Sequence, residues 1–529
     1  MHTILFRRWV PIWMRLLCIF TLAITTMLFN GTYMGSSIDI SSTLGVLKED
    51  ITMAYYATSV GMAAAYPMVP KMRSLISTKT ILLLDLLLQI LLSLTCANTS
   101  LMGVIIVCSF LIGFLKAFVM MELILMLRPI FSPANERSEF YSYFYPLVFS
   151  VSQMALVLTA WVAYNFQWQY MYYLVVVLAL LSITQVLICF RYSKIGLRFP
   201  FAEIDWLSFW GLACSLLLFI YVVTYGKLYD WFDSNQILVG FIVAIGVVYL
   251  TVMRQVGVKN PYLRLDVFSY SKAIVAYLFM VLVMFVAGSS TLVSQYVNSI
   301  LATGNLHANS LNFWLIPGFV VGGLICFWFF RLQIIRFRYL VFFGMMCFSV
   351  YLAMIYWGVA PNGTYEYLFF PMFMRGLGMM VLFIAFGVYA VEGMDPKLMI
   401  YNAFFLVAFR SALAPAFSAS FYNNMLYRLQ EKYVSRLGET LIAQNPIAME
   451  RYNAKLSAAI GQGHSFEEST AIAMKSLYSS VYMQATLLSI KEIIGYILLL
   501  CLIVGVVAAF IPFHKTLKVK VEEGGEDMV

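Results

Sequence analysis

Apolar runs of bilayer length recur along this chain from one end to the other, and no other feature restricts its fold as severely. A hydrocarbon core needs about 20 apolar residues per helix. By that measure fourteen runs follow one another, centred from near Thr25 to near Leu500. With 62% of its 529 residues hydrophobic and 11% charged, the chain cannot clothe a soluble surface in polar groups. Inside lipid each backbone N–H and C=O must be satisfied within its own segment, which makes the helix the spanning element for runs of this length. The expected class is an all-α polytopic membrane protein.

The charges between the runs set an orientation. Lys71, Arg73 and Lys79, then Arg128 and Arg137, Arg191, Lys194 and Arg198, Arg254, Lys259 and Arg264, Arg331, Arg336 and Arg338, Lys397, and finally Lys515, Lys518 and Lys520 fall in every second connection. The intervening connections are poor in cations, as the positive-inside rule requires. Both termini are therefore expected in the cytoplasm, with the chain in the cell inner membrane. The same distribution accounts for the net charge of +9 without a nucleic-acid partner. Arg7, Arg8 and Arg15 precede the first run, which continues past Phe29 without a small-residue cleavage site, so a retained span is expected. The eight cysteines are scattered, without CxxC pairs, and read as small apolar packing residues. No metal, cofactor or disulfide is expected.

Five ionisable residues fall within runs: Asp85, Lys116, Glu122, Arg375 and Arg410. Charges inside a membrane are costly and mark pathways or paired structural groups. Asp85 and Glu122, toward cytoplasmic ends, suit structural ion pairs or interfacial contacts as well as coupling; a Lys116–Asp85 pair is equally compatible with their depths. Lys116 and Glu122 lie on different helix faces. Arg375 is followed by Gly376 and Gly378, which let a neighbouring backbone approach. Arg410 lies on a stripe of small residues, Ala414 and Ser418, with Ser411 and Pro415 alongside, which suits a helix contact or a cavity wall. Trp161, Trp314 and Tyr389 are candidates for an apolar pocket. The four histidines lie outside the runs, and no phosphate loop or Ser/His/Asp motif occurs, so neither an enzyme nor an ATP-driven pump is expected.

Two further patterns bear on architecture. Gly113 precedes Pro133 by 20 residues, and Gly376 precedes Pro396 by 20, in two runs of the same direction. Parallel repeats of this kind relate the halves of major-facilitator transporters, whose substrate sites lie between the halves near the midplane. Residues 423–484 form a polar connection of nearly balanced charge, with apolar residues at helical spacing and breaks expected near Asn445-Pro446 and Gly461-Gln462-Gly463. It reads as a solvated loop or as a docking surface for a partner.

FMRGLG at Phe373–Gly378 with MDPK at Met394–Lys397, IDW at Ile204–Trp206 with DWFDS at Asp230–Ser234, FSPANERS at Phe131–Ser138, the Gln167-Trp168 pair and Arg410 together resemble the fourteen-span branch of the major facilitator superfamily, the EmrB/QacA-type drug:proton antiporters. The first half departs from that pattern. PKMRSLIST replaces the glycine-rich basic loop, Ser109 stands for an arginine, and Ala155, Leu156, Thr159 and Ala160 occupy the antiporter motif. The resemblance implies a major facilitator fold: a six-helix bundle in residues 1–199, two extra central helices in 200–260, and a second six-helix bundle in 261–529. It also implies a proton-coupled exporter of a small amphipathic or lipophilic molecule, with a periplasmic adaptor and an outer-membrane channel as partners. Arg375, Arg410, Lys116, Glu122 and Asp85 are then the substrate or coupling residues, and Gly376, Gly378, Gly113 and Pro415 the packing and gating residues. The excess of cations over carboxylates points to an anionic or zwitterionic cargo. Import, flipping of a lipid-linked intermediate, and a receptor or scaffold that kept the fold are the competing readings.

Overall fold

The computed structural model describes residues 5–133, 136–191, 204–258, 260–332, 336–439, 441–442, 444–511 and 513. Lys194, Arg198, Lys259, Lys515, Lys518 and Lys520 of the charge pattern, and the expected boundary at 199/200, lie outside the described residues. Among the described residues, fourteen long helical rods make up the membrane portion. In chain order they are α1 (Ile12–Gly35), α2 (Lys48–Ala65), α3 (Thr78–Asn98), α4 (Met102–Phe131), α5 (Arg137–Asn165), α6 (Tyr170–Cys189), α7 (Trp206–Tyr225), α8 (Asn235–Gly257), α9 (Ser271–Ala287, continued as Ser290–Ser299), α10 (Leu315–Leu332), α11 (Phe337–Gly358), α12 (Phe369–Tyr389), α13 (Met399–Val407, continued through Ala408–Leu413 and Ala414–Gly438) and α14 (Phe466–Phe510). Thirteen are long and apolar enough to cross a bilayer. The other, α2, carries Lys48, Glu49 and Asp50 in its first turn.

Helix pairs recur with an offset of eight. In the first bundle α2 packs on α4, α3 on α4 and α6, and α1 on α4 and α5; in the second α10 packs on α12, α11 on α12 and α14, and α9 on α12 and α13. The bundles meet along α5, which touches α10 and α12, and along α2, which touches the central turn of α13. Contacts join them near both membrane faces. At one face the amides of Asn305 and Asn309 donate to the Gly35 carbonyl at the end of α1, at 3.4 and 3.2 Å. Toward the opposite face the ring of Tyr143 on α5 lies 5.3 Å from that of Phe327 on α10.

The hairpin of α7 and α8 packs beside α2. Its outer member is largely left to lipid: 17% of the apolar window of α8 is buried, against 78% of the window that contains α12. Asp205 explains how the IDW segment starts this hairpin. Its carboxylate accepts from the Ser208 backbone N–H at 3.3 Å, capping α7. It also takes a bidentate pair from Arg254 of α8 at 2.9 and 3.1 Å. Partial burial works against the charged form, but these donors win and hold the Asp205 carboxyl below the usual carboxylate range.

Beyond the bundle, α13 runs on to Gly438, and a helix at Pro446–Gly461, capped by the Asn445 side chain, leads toward α14. Ser465 and Glu468 close a capping box on α14, whose 45 residues span about 67 Å. That is more than twice the roughly 30 Å hydrocarbon thickness, so its first half stands clear of the bilayer. Gln430 bonds Thr486 at 2.9 Å and Tyr433 bonds Glu492 at 2.7 Å, which tie the rising part of α13 to α14.

Candidate functional site

The site is framed by two helix crossings built from glycine. A Cβ on Gly113 of α4 would land on the Thr58 carbonyl of α2, and one on Gly61 of α2 would land on the Phe110 carbonyl, 2.9 Å from the Phe114 nitrogen. The second bundle repeats this arrangement. A Cβ on Gly376 of α12 would lie 2.5 Å from the Leu315 carbonyl of α10, and one on Gly318 would land on the Phe373 carbonyl, 2.7 Å from the Leu377 nitrogen. Phe110 and Phe114 flank Gly113 at the same offsets as Phe373 and Leu377 flank Gly376. Only hydrogen at Cα permits backbones this close. A Cβ on Gly378 would point the other way, 2.8 Å from the Gly344 carbonyl of α11.

Arg375 precedes its glycine where Ile112 precedes Gly113. The helical pattern of α9 is interrupted at Gly288-Ser289, and the Arg375 Nη2 donates to the Ala287 carbonyl at 2.8 Å and to Ser290 Oγ at 3.1 Å. A guanidinium on the last carbonyl of a helix segment is favourable to its dipole. Its Nε and Nη1 are buried without a hydrogen-bond partner among the described residues. Gly288 itself sits against Ser418, so the small-residue stripe of α13 serves the contact with α9.

Arg410 occupies the seam between the bundles. It rides on a π-helical turn at Ala408–Leu413, with Pro415 just beyond. Proline has no N–H to give the preceding turn, and π turns of this kind recur at functional positions. The guanidinium carbon lies 5.5 Å from the Tyr145 ring centroid and 5.7 Å from those of Phe149 and Phe383. These rings come from α5 of one bundle and α12 of the other. No ion pair to Arg410 occurs among the described residues.

Lys116 lies at the middle of α4, buried, three residues after Gly113. It forms no ion pair or hydrogen bond among the described residues, so the Lys116–Asp85 pair is not made. Asp85 is instead bonded to Gln89 of its own helix, Nε2 to Oδ2 at 2.6 Å. Glu122 takes Arg73 Nε at 3.2 Å and Thr78 Oγ1 at 3.0 Å, which fastens the connection between α2 and α3 to α4.

The sequence-level aromatic candidates lie elsewhere. Trp161 is exposed, Trp314 stacks on Phe369 at 4.4 Å, and Tyr389 stacks on Phe337 at 5.3 Å. The rings that do surround Arg410 were not distinguishable among many Tyr and Phe, because membership depends on α5 meeting α12 across the seam.

No family model matches the chain. The Colistin resistance protein EmrB of Acinetobacter baumannii is 21% identical to it over 374 residues, 67% of this chain and 68% of that protein. The solved structure of the nucleoside transporter NupG is 11% identical, with a TM-score of 0.50 over 94% of this chain and 99% of that one. The fold is that of the major facilitator transporters: two six-helix bundles with two additional helices, in a multi-pass membrane protein.

Proposed function

We propose that this protein is a secondary transporter that exports an amphipathic or lipophilic anion or zwitterion by alternating access of its two bundles, driven by the proton gradient. The observation that carries the reading is Arg410. A guanidinium held between the bundles by three aromatic rings, with no carboxylate paired to it among the described residues, supplies a charge and an apolar wall where a cargo would pass. The two nitrogens of Arg375 without a partner among the described residues add cationic character, and Lys116 sets a buried amine at mid-membrane. Efflux is favoured over import by the likeness to a protein named for drug resistance.

The chain would sit in the inner membrane with both termini in the cytoplasm, as its basic connections suggest. The helices beyond the bilayer expose Ile447, Ile460 and Met474, which suits docking of a periplasmic adaptor that leads to an outer-membrane channel.

The test is flux in proteoliposomes with a panel of labelled amphipathic carboxylates and matched cations. Accumulation of carboxylates driven by an imposed pH gradient, reduced at least tenfold by Arg410→Ala, is expected. Equal flux of cations and anions, or full flux in Arg410→Ala, overturns the assignment, and flux in the opposite direction replaces export with import.

A further inference from the structure

Away from the seam, the first bundle holds a second polar group, distinct from the arginine on which the transport reading rests. On α3 the buried stripe Leu82, Asp85, Leu86, Gln89 and Ser93 faces the bundle interior. Asp85 is 2% exposed and Gln89 is fully buried. The amide of Gln89 donates to one carboxyl oxygen, but Asp85 Oδ1 and Gln89 Oε1 are both buried with no partner among the described residues.

The level of the pair is fixed by Lys79, whose Nζ donates to the carbonyls of Leu187 and Phe190 at 3.0 and 3.1 Å and so registers α3 against α6. Asp85 lies six residues, about 9 Å, further out. Ser182, five residues before Leu187, lies at a similar height and bonds Thr25 of α1 at 2.9 Å. The pair is thus inside the hydrocarbon layer.

What neutralises Asp85 is the question, since a lone carboxylate in such a place is prohibitively costly. The helices packed on α3 are α4 and α6. On α4, Glu122 is engaged by Arg73 and Thr78, Lys116 makes no ion pair, and Arg128 is near the cytoplasmic end. On α6 there is no Asp, Glu, Lys or Arg, and its titratable groups are Tyr170, Tyr172 and Tyr173 at the outer end and Cys189 at the inner end. On α3 itself Lys79 is spent on two carbonyls.

Both unpartnered atoms are acceptors. Turning the Gln89 amide over would set Oε1 against the carboxyl oxygen, which is attractive only with a positive particle between them. In either orientation the pair holds more oxygen acceptors than N–H donors.

We propose that Asp85 and Gln89 form a binding site for a monovalent cation, a proton or a sodium ion, inside the first bundle and separate from the arginine-lined seam. A proton needs these two groups alone. Sodium would need further oxygen ligands beside these two groups.

The test uses the full chain in lipid nanodiscs without any cargo, so it stands or falls independently of the transport reading. Infrared difference spectra between about pH 5 and pH 9 read the carboxyls. Thermal unfolding in sodium chloride against choline chloride reads sodium. For a proton, the parent shows a carboxylic-acid carbonyl band that titrates reversibly, is absent in Asp85→Asn, persists in Glu122→Gln and shifts its midpoint in Gln89→Leu. For sodium, the band is missing and sodium raises the unfolding temperature of the parent by several degrees, with no rise in Asp85→Asn. If Asp85→Asn does not fold, Gln89→Leu alone must move the midpoint or the sodium response. A parent with neither a titrating Asp85 band nor a sodium response overturns the proposal, as does a Gln89→Leu variant identical to the parent in both.

Discussion

The crossing of α2 with α4 and the crossing of α10 with α12 have the same backbone and opposite chemistry. Each places two glycines so that two helix backbones touch, with matching offsets around the contact. Yet the first has Ile112 before its glycine and Lys116 three residues after it, whereas the second has Arg375 before and Met379 after. The frame is duplicated and the charge is not. Geometry at a crossing is set by steric exclusion at Cα, which both bundles need in order to close. A buried cation is costly wherever it stands, so each bundle keeps one only where something else makes use of it. Arg375 has a structural use, the carbonyl released at the interruption of α9. Lys116 has none among the described residues, which is why we propose it for the cargo pathway.

The comparison breaks most visibly at the glycines. Gly113→Ala and Gly376→Ala should each destabilise by about 3 kcal/mol, the upper end of overpacking costs. Gly113→Ala should be the worse of the two, because its Cβ lands on the Thr58 backbone. Thermal unfolding in detergent or nanodiscs measures this, and equal tolerance of both would show that the crossings can slide apart.

Next in size is Arg375→Ile, which copies the first bundle into the second. It removes a charged donor from the Ala287 carbonyl and Ser290, and should cost about 2–3 kcal/mol. Arg375→Lys should recover part of that. The reciprocal exchange, Lys116→Met, copies the second bundle into the first. It should leave stability unchanged or raise it by about 1 kcal/mol, having no bonded partner to lose, while carboxylate flux falls at least tenfold. A Lys116→Met variant that unfolds would return that lysine to a structural role.

Glu122→Gln should cost about 1 kcal/mol, since Thr78 still finds an oxygen and Arg73 is partly exposed. Smallest is Asp205→Asn in the hairpin outside the repeat, at less than about 1 kcal/mol. Its carboxyl is held below the usual range, so the contribution is present above about pH 4 and fades as pH falls through the lower folded value. The difference in unfolding temperature between parent and Asp205→Asn should shrink accordingly in acid.

Half of each crossing was legible in the chain. The equal spacings from Gly113 to Pro133 and from Gly376 to Pro396 mark α4 and α12 as counterparts. Their partner glycines, Gly61 and Gly318, carried no signal, because a glycine in an apolar run shows neither what it faces nor that it faces anything. The charges behaved likewise. Residue type and position placed Asp85, Lys116, Glu122, Arg375 and Arg410 inside hydrocarbon, but their partners are a backbone carbonyl, a glutamine one turn away, an arginine from a connection, or three rings from two bundles. Apart from that glutamine at i+4, none of these follows from spacing along a single helix.

The sequence by itself determined that the chain lives in a bilayer, that it crosses as helices, and which connections carry the positive charge. Those properties are local, since lipid forbids an unsatisfied backbone and each run must meet that demand alone. The tertiary structure alone decided which buried charges are occupied and which stand open, because a charge inside a membrane is read by what other helices bring to within a few ångströms of it. Arg375 is anchored to α9, Glu122 is fastened to the connection before α3, and Arg410 is left among aromatic rings at the seam.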